Sequence, residues 1–452
     1  MTWARIDACS LDNTRRDGFM EQSPGQPGAR AIVRMRKALK VLRPLVAPIG
    51  LVYSTFEYLL LVLRAYPCLR GAESVHPLLF WSFGHVVIDP HMLAMRFAGR
   101  RLVILVSRYP GDSSNEYILD SFQGMVRLNF LKHTWLAAQI WQKNIVAATA
   151  IKGMMRRVLR FVLWLMRNKA NVIHEYHEFY GPRVSGTWMV EYIDRLRLGH
   201  AADVKAPERH IGAFRRILER DCPELAERWF ISLYLRRKFS NRPDVRDTDQ
   251  MPYRVVISRI FELGGFTFLG GDTAEDNFRD LPGWAGYSHF NAPKGLADLY
   301  FLTQCRFLVG GHGGPTTMAA SYNVPTLITN NAYYYLSGYR ENQVVVNKAA
   351  RWVSTGAMLR PEELFSRPVV EFSDTREFEE AGIELIDNSE VEIADALEEM
   401  VRRFVSRDFA ETPYNGAYEW FRTLLPHDSV AYVTSAKPAI SYLESLKRGA
   451  GV

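Results

Sequence analysis

The sequence predicts an α/β protein built from two parallel-sheet halves, and its apolar runs carry that prediction. Six such runs have the length of a strand and are separated by segments of helical composition. They lie at residues 78–81, 102–107, 229–235, 266–269, 306–309 and 324–329. Strands that alternate with helices form parallel sheets, and the ligand-binding edge of such sheets lies at the carboxyl ends of the strands. We therefore expect the site residues directly after these runs.

Length, composition and charge narrow the class of protein. The chain has 452 residues, enough for two or three domains, and its 48% hydrophobic and 23% charged residues are ordinary for a globular protein. The net charge of +7 favours acidic partners such as nucleotides or anionic lipid. Nucleic acid is not expected as a partner because no recognised nucleic-acid motif is present. Four scattered cysteines indicate reduced thiols in the cytoplasm.

The amino-terminal region combines a polar tail with a basic and apolar stretch. Residues 1–30 are polar, carry no cleavable signal peptide pattern, and are expected to be disordered. Residues 31–70 begin basic and become strongly apolar, with prolines and Glu57 inside. Three interpretations remain open: a membrane span, an amphipathic helix on anionic lipid, or a buried first helix. A second basic and apolar stretch at 154–169 indicates either an interfacial helix or a solvated domain helix.

The most informative stretch runs from Cys305 to Asn331 and reads as strand, glycine loop, helix and strand. Four glycines in five positions let a ligand approach the backbone closely, and the following helix N-terminus favours a phosphate. The alternative is a tight turn with no ligand. The predicted phosphate-binding residues are Gly310, Gly311, His312, Gly313, Gly314, Pro315, Thr316 and Thr317. Asn330, at the end of the next strand, is predicted to bind another part of the same ligand.

This stretch, GGHGGPTTMAASYNVPTLITNN, resembles the nucleotide-sugar-binding part of GT-B glycosyltransferases. It is similar to a family of bacterial glycosyltransferases with the pattern strand, Gly-x-x-(Ser/Gly)-Gly-Pro, helix, and a strand reading Pro-(Val/Thr)-Leu-(Leu/Ile)-Thr-Asn. Gly313 stands where some members of that family have a serine or threonine, so a hydroxyl contact from this position is not expected here. The resemblance implies a GT-B-like fold, with two Rossmann-like domains facing a cleft.

The resemblance also implies a domain organisation. The expected segments are a disordered tail at 1–30, a membrane-proximal helix at 31–70, an acceptor domain at 71–210, a donor domain at 211–425, and a last helix at 426–452 that returns to the amino-terminal domain. Transfer without a metal is expected because Asp247-Thr248-Asp249 matches D-x-D only formally. A nucleotide-diphosphate sugar would be the co-substrate, and no other cofactor is expected.

Further donor-side residues follow other strands of the second half. Basic residues after residues 229–235 would neutralise a diphosphate or would form a solvated rim. Glycines after 266–269 reach another carboxyl edge, and an aromatic-rich stretch at 283–292 would frame the base. The residues concerned are Arg236 and Lys238, then Gly270, Gly271 and Asp272, and finally His289.

The acceptor side is expected around Gly84 and His85, which follow the first strand. The resembling family has a similar Gly-His pair there, so His85 is the candidate general base, with an ordinary pKa near 6.5 that suits proton removal from a sugar hydroxyl. Asp89 would orient it, and inversion at the sugar would follow. The alternatives are a histidine of the turn and an exposed helix residue. The cluster from His174 to Glu178 lacks metal-ligand spacing, and no metal site is expected.

These features together predict a glycosyltransferase that moves a sugar from a nucleotide-diphosphate sugar to a glycan or lipid-linked acceptor. Surface polysaccharide or glycoconjugate biosynthesis would be its setting, in the cytoplasm or peripherally on the inner membrane. One rival is a nucleotide-sugar epimerase or hydrolase, which would need a carboxylate such as Glu116 or Asp272 beside the sugar. A second rival is a non-catalytic membrane-surface scaffold with a vestigial cleft.

Overall fold

The protein is described from a computed structural model. It describes residues 27–79, 83–109, 115–142, 148–173, 192–196, 204–237, 244–336, 338–409 and 414–451. Most of the tail expected to be disordered, the cluster from His174 to Glu178, and Lys238 lie outside these residues.

The amino-terminal half is a four-stranded parallel sheet with the order β3-β2-β1-β4. Its elements are α1 (Pro27–Leu69), β1 (Ser74–Leu79), α2 (Phe83–Arg96), β2 (Leu102–Arg108), α3 (Glu116–Leu119), β3 (Arg127–Lys132), α4 (Trp135–Gln142), α5 (Ala148–Leu165) and β4 (Asn171–Val172). The composition of residues 130–170 is typical of helix, but residues 127–132 instead form a strand that pairs with β2 along its whole length.

The side chains of β2 show how this sheet is covered. Val103 and Leu105 point to the face covered by α1 and α5, where they share an apolar core with Tyr58 and Leu159. Ile104, between them, points to the opposite face, because successive side chains of a strand alternate. That second face packs against α2 and against the carboxyl-terminal half. The sheet is thus buried on both sides, which explains its continuous apolar strands.

The carboxyl-terminal half is a seven-stranded parallel sheet with helices on both faces. Its elements are α6 (Glu208–Asp221), α7 (Pro223–Ala226), β5 (Phe230–Leu235), α8 (Arg254–Glu262), β6 (Phe266–Gly271), β7 (Trp284–Gly286), α9 (Lys294–Gln304), β8 (Leu308–Gly310), α10 (Gly314–Ser321), β9 (Thr326–Asn331), β10 (Gln343–Asn347), β11 (Ala349–Trp352), α11 (Pro361–Leu364), α12 (Thr375–Glu380), β12 (Ile383–Ile386), α13 (Glu390–Val401), α14 (Tyr414–Leu424), α15 (Val430–Val433), β13 (Lys437–Pro438) and α16 (Ile440–Ala450). Strands β11 and β12 form a separate antiparallel pair.

The strand order of the large sheet, β13-β10-β9-β8-β5-β6-β7, locates its ligand-binding edge. The chain enters in the middle at β5, runs outward to β7, and then returns to β8 on the other side of β5. This is the doubly wound order, in which ligands bind where the direction of winding reverses. The reversal lies between β5 and β8. The predicted GT-B-like α/β class, with two Rossmann-like sheets, is confirmed.

The two halves are joined by a shared apolar core and by hydrogen bonds. Helix α2 packs against α10, and Ile104 of β2 belongs to the same buried cluster as Met318 of α10. The side-chain amide of Asn115 donates to the carbonyl oxygen of Gly295 at 2.5 Å. The hydroxyl of Tyr322 donates to Ser121 Oγ at 2.7 Å. The helices that follow the predicted acceptor and donor loops are therefore in direct contact.

The position of the last helix differs from the prediction. Helix α16 packs against α13 and α14, and Leu443 is buried among side chains of the carboxyl-terminal half. The reason is the short strand β13, which pairs with β10 at the edge of the large sheet and directs α16 onto that sheet. The described contacts of α16 therefore lie on the carboxyl-terminal half, whereas Val430, earlier in the same predicted segment, belongs to a buried cluster with Ile88 and Met92 of α2.

Candidate functional site

The sheet brings two predicted segments together at its point of reversal. Tyr234 near the end of β5 pairs with Gly310 at the end of β8. Arg236 follows β5, and the glycine loop from Gly310 to Thr317 follows β8 and opens α10. Residues predicted from stretches more than 70 positions apart therefore lie on neighbouring strand ends. This arrangement forms the candidate site.

The glycines of the loop differ in what they do. A Cβ atom on Gly310 would lie 2.4 Å from the backbone oxygen of Tyr234, so Gly310 is required by the packing of β8 on β5. A Cβ atom on Gly311 or Gly313 would meet its nearest neighbour at 3.8 or 3.9 Å, which is ordinary contact. Both residues are partly exposed. Gly311 and Gly313 are therefore the positions at which a ligand can approach the backbone.

The two threonines stabilise the loop by hydrogen bonds within it. Thr316 Oγ1 accepts from the backbone N–H of Gly313 at 2.9 Å and donates to its carbonyl oxygen at 2.8 Å. Thr317 Oγ1 donates to the same carbonyl oxygen at 3.0 Å. Both side chains are buried. They hold Gly313 in place at the start of α10, and Pro315 occupies the first turn as predicted.

His312 lies inside the loop in an aromatic environment. Its ring is perpendicular to that of Tyr333, with 5.2 Å between the centroids, and lies 6.0 Å from that of Tyr339. Burial, and secondly the charge of Arg246, lower the pKa of His312 to about 3. The ring is therefore neutral at pH 7. Its Nδ1 atom is buried and has no hydrogen-bond partner among the described residues, so the ring can offer a polar atom to a ligand.

Two arginines share one carboxylate beside the loop. Arg236 bonds to Asp247 Oδ1 through Nε at 3.0 Å and to Asp244 Oδ2 through Nη2 at 3.0 Å. Arg246 contacts Asp244 through Nη2 at 2.7 Å and through Nε at 2.8 Å. Burial would raise the pKa of Asp244, but the bonds from Arg246 outweigh it and lower that pKa to about 2. The arginines are thus held in fixed positions by ionised aspartates.

Asn330 is part of the scaffold rather than of the ligand-binding surface. Its side-chain amide donates to Thr248 Oγ1 at 2.6 Å and to the hydroxyl of Tyr253 at 2.9 Å, and its Oδ1 accepts from the backbone N–H of Asn388 at 2.6 Å. The side chain is buried, and the backbone lies in the left-handed region at φ 50°. Its prediction as a donor-binding residue does not fit this geometry, because its polar atoms hold β9 to the neighbouring loops.

Gly270 and Gly271 also have a packing role. A Cβ atom on Gly270 would lie 2.2 Å from the ring of Tyr234, and Gly271 has φ 65°. The hydroxyls of Tyr234 and Tyr287 both donate to Asp298 Oδ1, and burial raises the pKa of that carboxyl group. The glycines make room for this buried network. Asp272, which follows them, is exposed at the strand end.

His289 lies away from the glycine loop. It is exposed beside β7, and its Nδ1 atom accepts from the backbone N–H of Gly286 at 3.1 Å. Strand β7 is three places from β8, which corresponds to about 14 Å at about 4.8 Å per strand. The structure therefore does not bring His289 to the loop, and its role beside a nucleotide base stays a prediction.

The acceptor-side candidates lie on α2. The backbone of His85 forms part of the first turn of that helix, and its side chain is outside the described part of the chain. Asp89, four residues later on the same side of the helix, is buried with 6% of its surface exposed. The interpretation of Asp89 as an exposed helix residue is therefore wrong. Its burial in a helix that packs on α10 fits a positioning role.

The structure adds residues that the sequence prediction missed. Arg246 lies in a polar loop without periodicity, so nothing in the sequence distinguished it from neighbouring charges. Both aspartates of the formal D-x-D match accept hydrogen bonds within the protein. Asp247 Oδ1 accepts from Arg236 Nε, and Asp249 Oδ1 accepts from the backbone N–H of Met251. Among the residues that the structure describes, no three His, Cys, Asp or Glu side chains are grouped to hold a metal ion.

Comparison with known proteins returned similarities to solved structures only. No protein-family model and no curated protein matches the chain. A glycosyl transferase family 9 protein from Veillonella parvula aligns with a TM-score of 0.41 and 11% identity, covering 73% of this chain and 97% of that one. E. coli heptosyltransferase WaaC with ADP-2-deoxy-2-fluoro heptose aligns with a TM-score of 0.33 and 14% identity, covering 60% of this chain and 92% of that one. UDP-GlcNAc 2-epimerase from Neisseria meningitidis bound to UDP-GlcNAc aligns with a TM-score of 0.27 and 9% identity, covering 60% of this chain and 88% of that one.

Proposed function

We propose that the protein is a glycosyltransferase that uses a nucleotide-diphosphate sugar as its donor. The observation that carries the proposal is the loop at Gly311 and Gly313, open to a ligand at the point of sheet reversal and adjacent to Arg236. Backbone N–H groups at a helix N-terminus and guanidinium groups are the partners that a diphosphate prefers. The resemblance of the loop sequence to GT-B donor sites supports the same assignment.

The proposed chemistry places the departing diphosphate against this loop. When the bond between the sugar and the diphosphate breaks, negative charge grows on the diphosphate oxygen, and preorganised donors stabilise that charge. Arg236 and Arg246 supply guanidinium N–H donors in fixed positions, because Asp244 holds both side chains. We propose that no metal ion takes part, and no cofactor beyond the nucleotide sugar.

The acceptor is proposed to be a glycan or a lipid-linked glycan, bound on the side of α2. The attacking hydroxyl must lose a proton as the new bond forms, and His85 at the start of α2 is the proposed general base. Asp89, one turn along, would orient it, and attack from this side would invert the sugar carbon. The setting we propose is surface glycoconjugate biosynthesis in the cytoplasm, next to the inner membrane.

Nucleotide binding tests the donor site directly. Binding of nucleoside diphosphates and their sugar derivatives would be screened by thermal shift and measured by calorimetry. Gly313→Val should preserve the fold, because Gly313 has an extended backbone and open space around it, and should weaken binding more than tenfold by occupying the ligand's place. The matched control is Gly416→Val, at an exposed helix position away from the sheet edge.

The outcomes separate the proposal from its rivals. Sugar transfer to an acceptor, dependent on Gly313, supports the transferase. Release of the sugar to water, or interconversion of the donor, with no transfer to any acceptor would identify a hydrolase or epimerase. A wild-type protein that binds no nucleotide would instead be a scaffold, and the proposal would fail.

A further inference from the structure

Helix α1 is apolar on two opposite faces. Its inner face, which includes Tyr58, Val62 and Leu69, is completely buried against the sheet of the amino-terminal half. Its outer side chains are exposed although they are equally apolar, Ile49 by 71% and Val52 by 70%. The core of this half accounts for the inner face only. The outer face has no partner among the described residues.

Helix α5 repeats this arrangement. Leu159 and Val162 are buried under the sheet, while Phe161 and Trp164 are exposed by 50% and 72%. The exposed side chains follow helical spacing, and Arg157 continues the same row toward the start of the helix. The segment from 148 to 169 contains six lysines and arginines and no acidic residue. Its outer face therefore combines large apolar groups with positive charge.

The two outer faces form one surface, because α1 and α5 pack side by side. The hydroxyl of Tyr66 donates to the carbonyl oxygen of Met166 at 3.3 Å, and the side-chain amide of Asn168 donates to that of Leu69 at 2.9 Å. At the other end, the hydroxyls of Tyr53 and Thr134 lie 2.8 Å apart. We call this surface the α1–α5 face. Its exposed apolar members are Val46, Ile49, Val52, Phe56, Leu60, Trp135, Leu136, Phe161, Trp164, Leu165 and Met166.

A surface of this size and composition indicates a partner, since soluble monomers rarely expose large contiguous apolar patches. The charges decide which partner. In the sequence, helix α1 carries seven lysines and arginines against one glutamate, and the segment from 148 to 169 carries six more basic residues. Among the side chains that the structure describes, Arg64 of α1 and Arg157 of α5 are exposed. Tryptophan and phenylalanine beside arginine and lysine suit the interface of a bilayer that contains anionic lipid. A protein partner would not require this excess of one charge.

Glu57 decides how α1 meets the bilayer. By length and composition, Val46–Leu69 could cross a membrane, a property shared with core helices of soluble proteins. Glu57 lies inside this segment, and its carboxylate accepts from His133 Nδ1 at 2.9 Å and from the backbone N–H of Thr134 at 2.8 Å. Burial opposes ionisation, but these hydrogen bonds outweigh it and lower the pKa of Glu57. A spanning helix would have to break these hydrogen bonds and expose a carboxylate to hydrocarbon.

We infer that the α1–α5 face is a monotopic docking surface for a bilayer containing anionic lipid, on which α1 lies while its inner face stays part of the core. This inference goes beyond the proposed function, because it places the chain at a bilayer, where a lipid-linked acceptor would be found, while α2 lies on the opposite face of the sheet. It does not depend on donor binding, because no donor-site residue lies on α1, α4 or α5.

Vesicle flotation tests the inference. The full chain should float with phosphatidylcholine vesicles that contain phosphatidylglycerol, and much less with phosphatidylcholine alone. The double variant Phe56→Gln/Trp164→Gln should bind at least about tenfold more weakly, because both side chains lose burial in the interface. Both positions are exposed, so the fold should survive. Val391→Gln, at an equally exposed apolar position on α13, is the matched control.

Three results would overturn the inference. The first is a wild-type protein that does not float with the anionic vesicles. The second is resistance of the bound protein to extraction at alkaline pH, which would indicate a span. The third is a lipid-independent dimer in sedimentation that the double variant dissociates while vesicles bind neither form, which would make the face an interface between two copies. Failure of nucleotide binding would leave the vesicle result unchanged.

Discussion

Replacing Gly310 by alanine should destabilise the protein, whereas the same change at Gly311 should not. The added Cβ atom at Gly310 would lie 2.4 Å from the backbone oxygen of Tyr234, while real Cβ contacts essentially never fall below 3.0 Å. Strands β5 and β8 would therefore have to separate by at least 0.6 Å, the difference between these distances. Both groups are fixed by the sheet, so no flexible side chain can yield. Overpacking of this kind costs about 1–3 kcal/mol.

Gly311 provides the matched comparison one residue away. A Cβ atom there meets its nearest neighbour at 3.8 Å, and its φ is not positive. Alanine at Gly311 should leave stability unchanged or raise it by about 0.4–1 kcal/mol, because it restricts the unfolded chain. At about 2–4 °C per kcal/mol for a domain of 150–250 residues, Gly310→Ala should lower the melting temperature by at least about 2 °C.

Differential scanning fluorimetry with and without nucleoside diphosphate measures both effects. The packing argument requires Gly310→Ala to melt lower than the wild type even without ligand. It would be refuted by a Gly310→Ala protein that is as stable as the wild type but has lost nucleotide binding. That result would make Gly310 a ligand-contacting glycine, as the sequence alone suggests.

Three further predictions concern single side chains. The pKa of His312 is lowered from the ordinary 6.5 to about 3, so below about pH 6.5 the unfolded chain binds a proton that the folded chain does not, and the free energy of unfolding falls. Urea titrations at pH 7 and pH 5 should therefore show the wild type losing up to about 2 kcal/mol more stability than His312→Gln. Equal losses in the two proteins would contradict a neutral ring at position 312. Arg246→Ala should weaken nucleoside diphosphate binding by about 1.5–3 kcal/mol in calorimetry, while the exposed control Arg376→Ala should not, and equal affinities would remove Arg246 from the site. His85→Ala should lower turnover by about 10²–10⁴-fold with donor affinity intact, and a loss of donor affinity with unchanged turnover per bound donor would make His85 a binding residue.

Local sequence was sufficient to predict the alternation of strands and helices and the position of the loop between β8 and α10. Glycines weaken a strand and mark the region where it ends, although Gly310 still pairs within β8, and Pro315 suits the first turn of a helix. The carboxyl-edge rule then placed Arg236 and the glycine loop at the same end of the sheet. Periodicity was less reliable at residues 127–132, because partly buried positions there do not alternate clearly and the strand exists through its pairing with β2.

The roles of individual residues depended on partners far away in the chain. Gly310 is defined by the backbone of Tyr234, and Asn330 by Asn388 and Thr248, none of which is near it in sequence. A run of glycines looks the same whether the missing side chains make room for a ligand or for a neighbouring strand. Likewise, both faces of α1 are apolar, so its sequence does not indicate which face packs against the sheet. Only the tertiary packing distinguishes these roles, because burial and hydrogen-bond saturation are properties of contacts between distant segments.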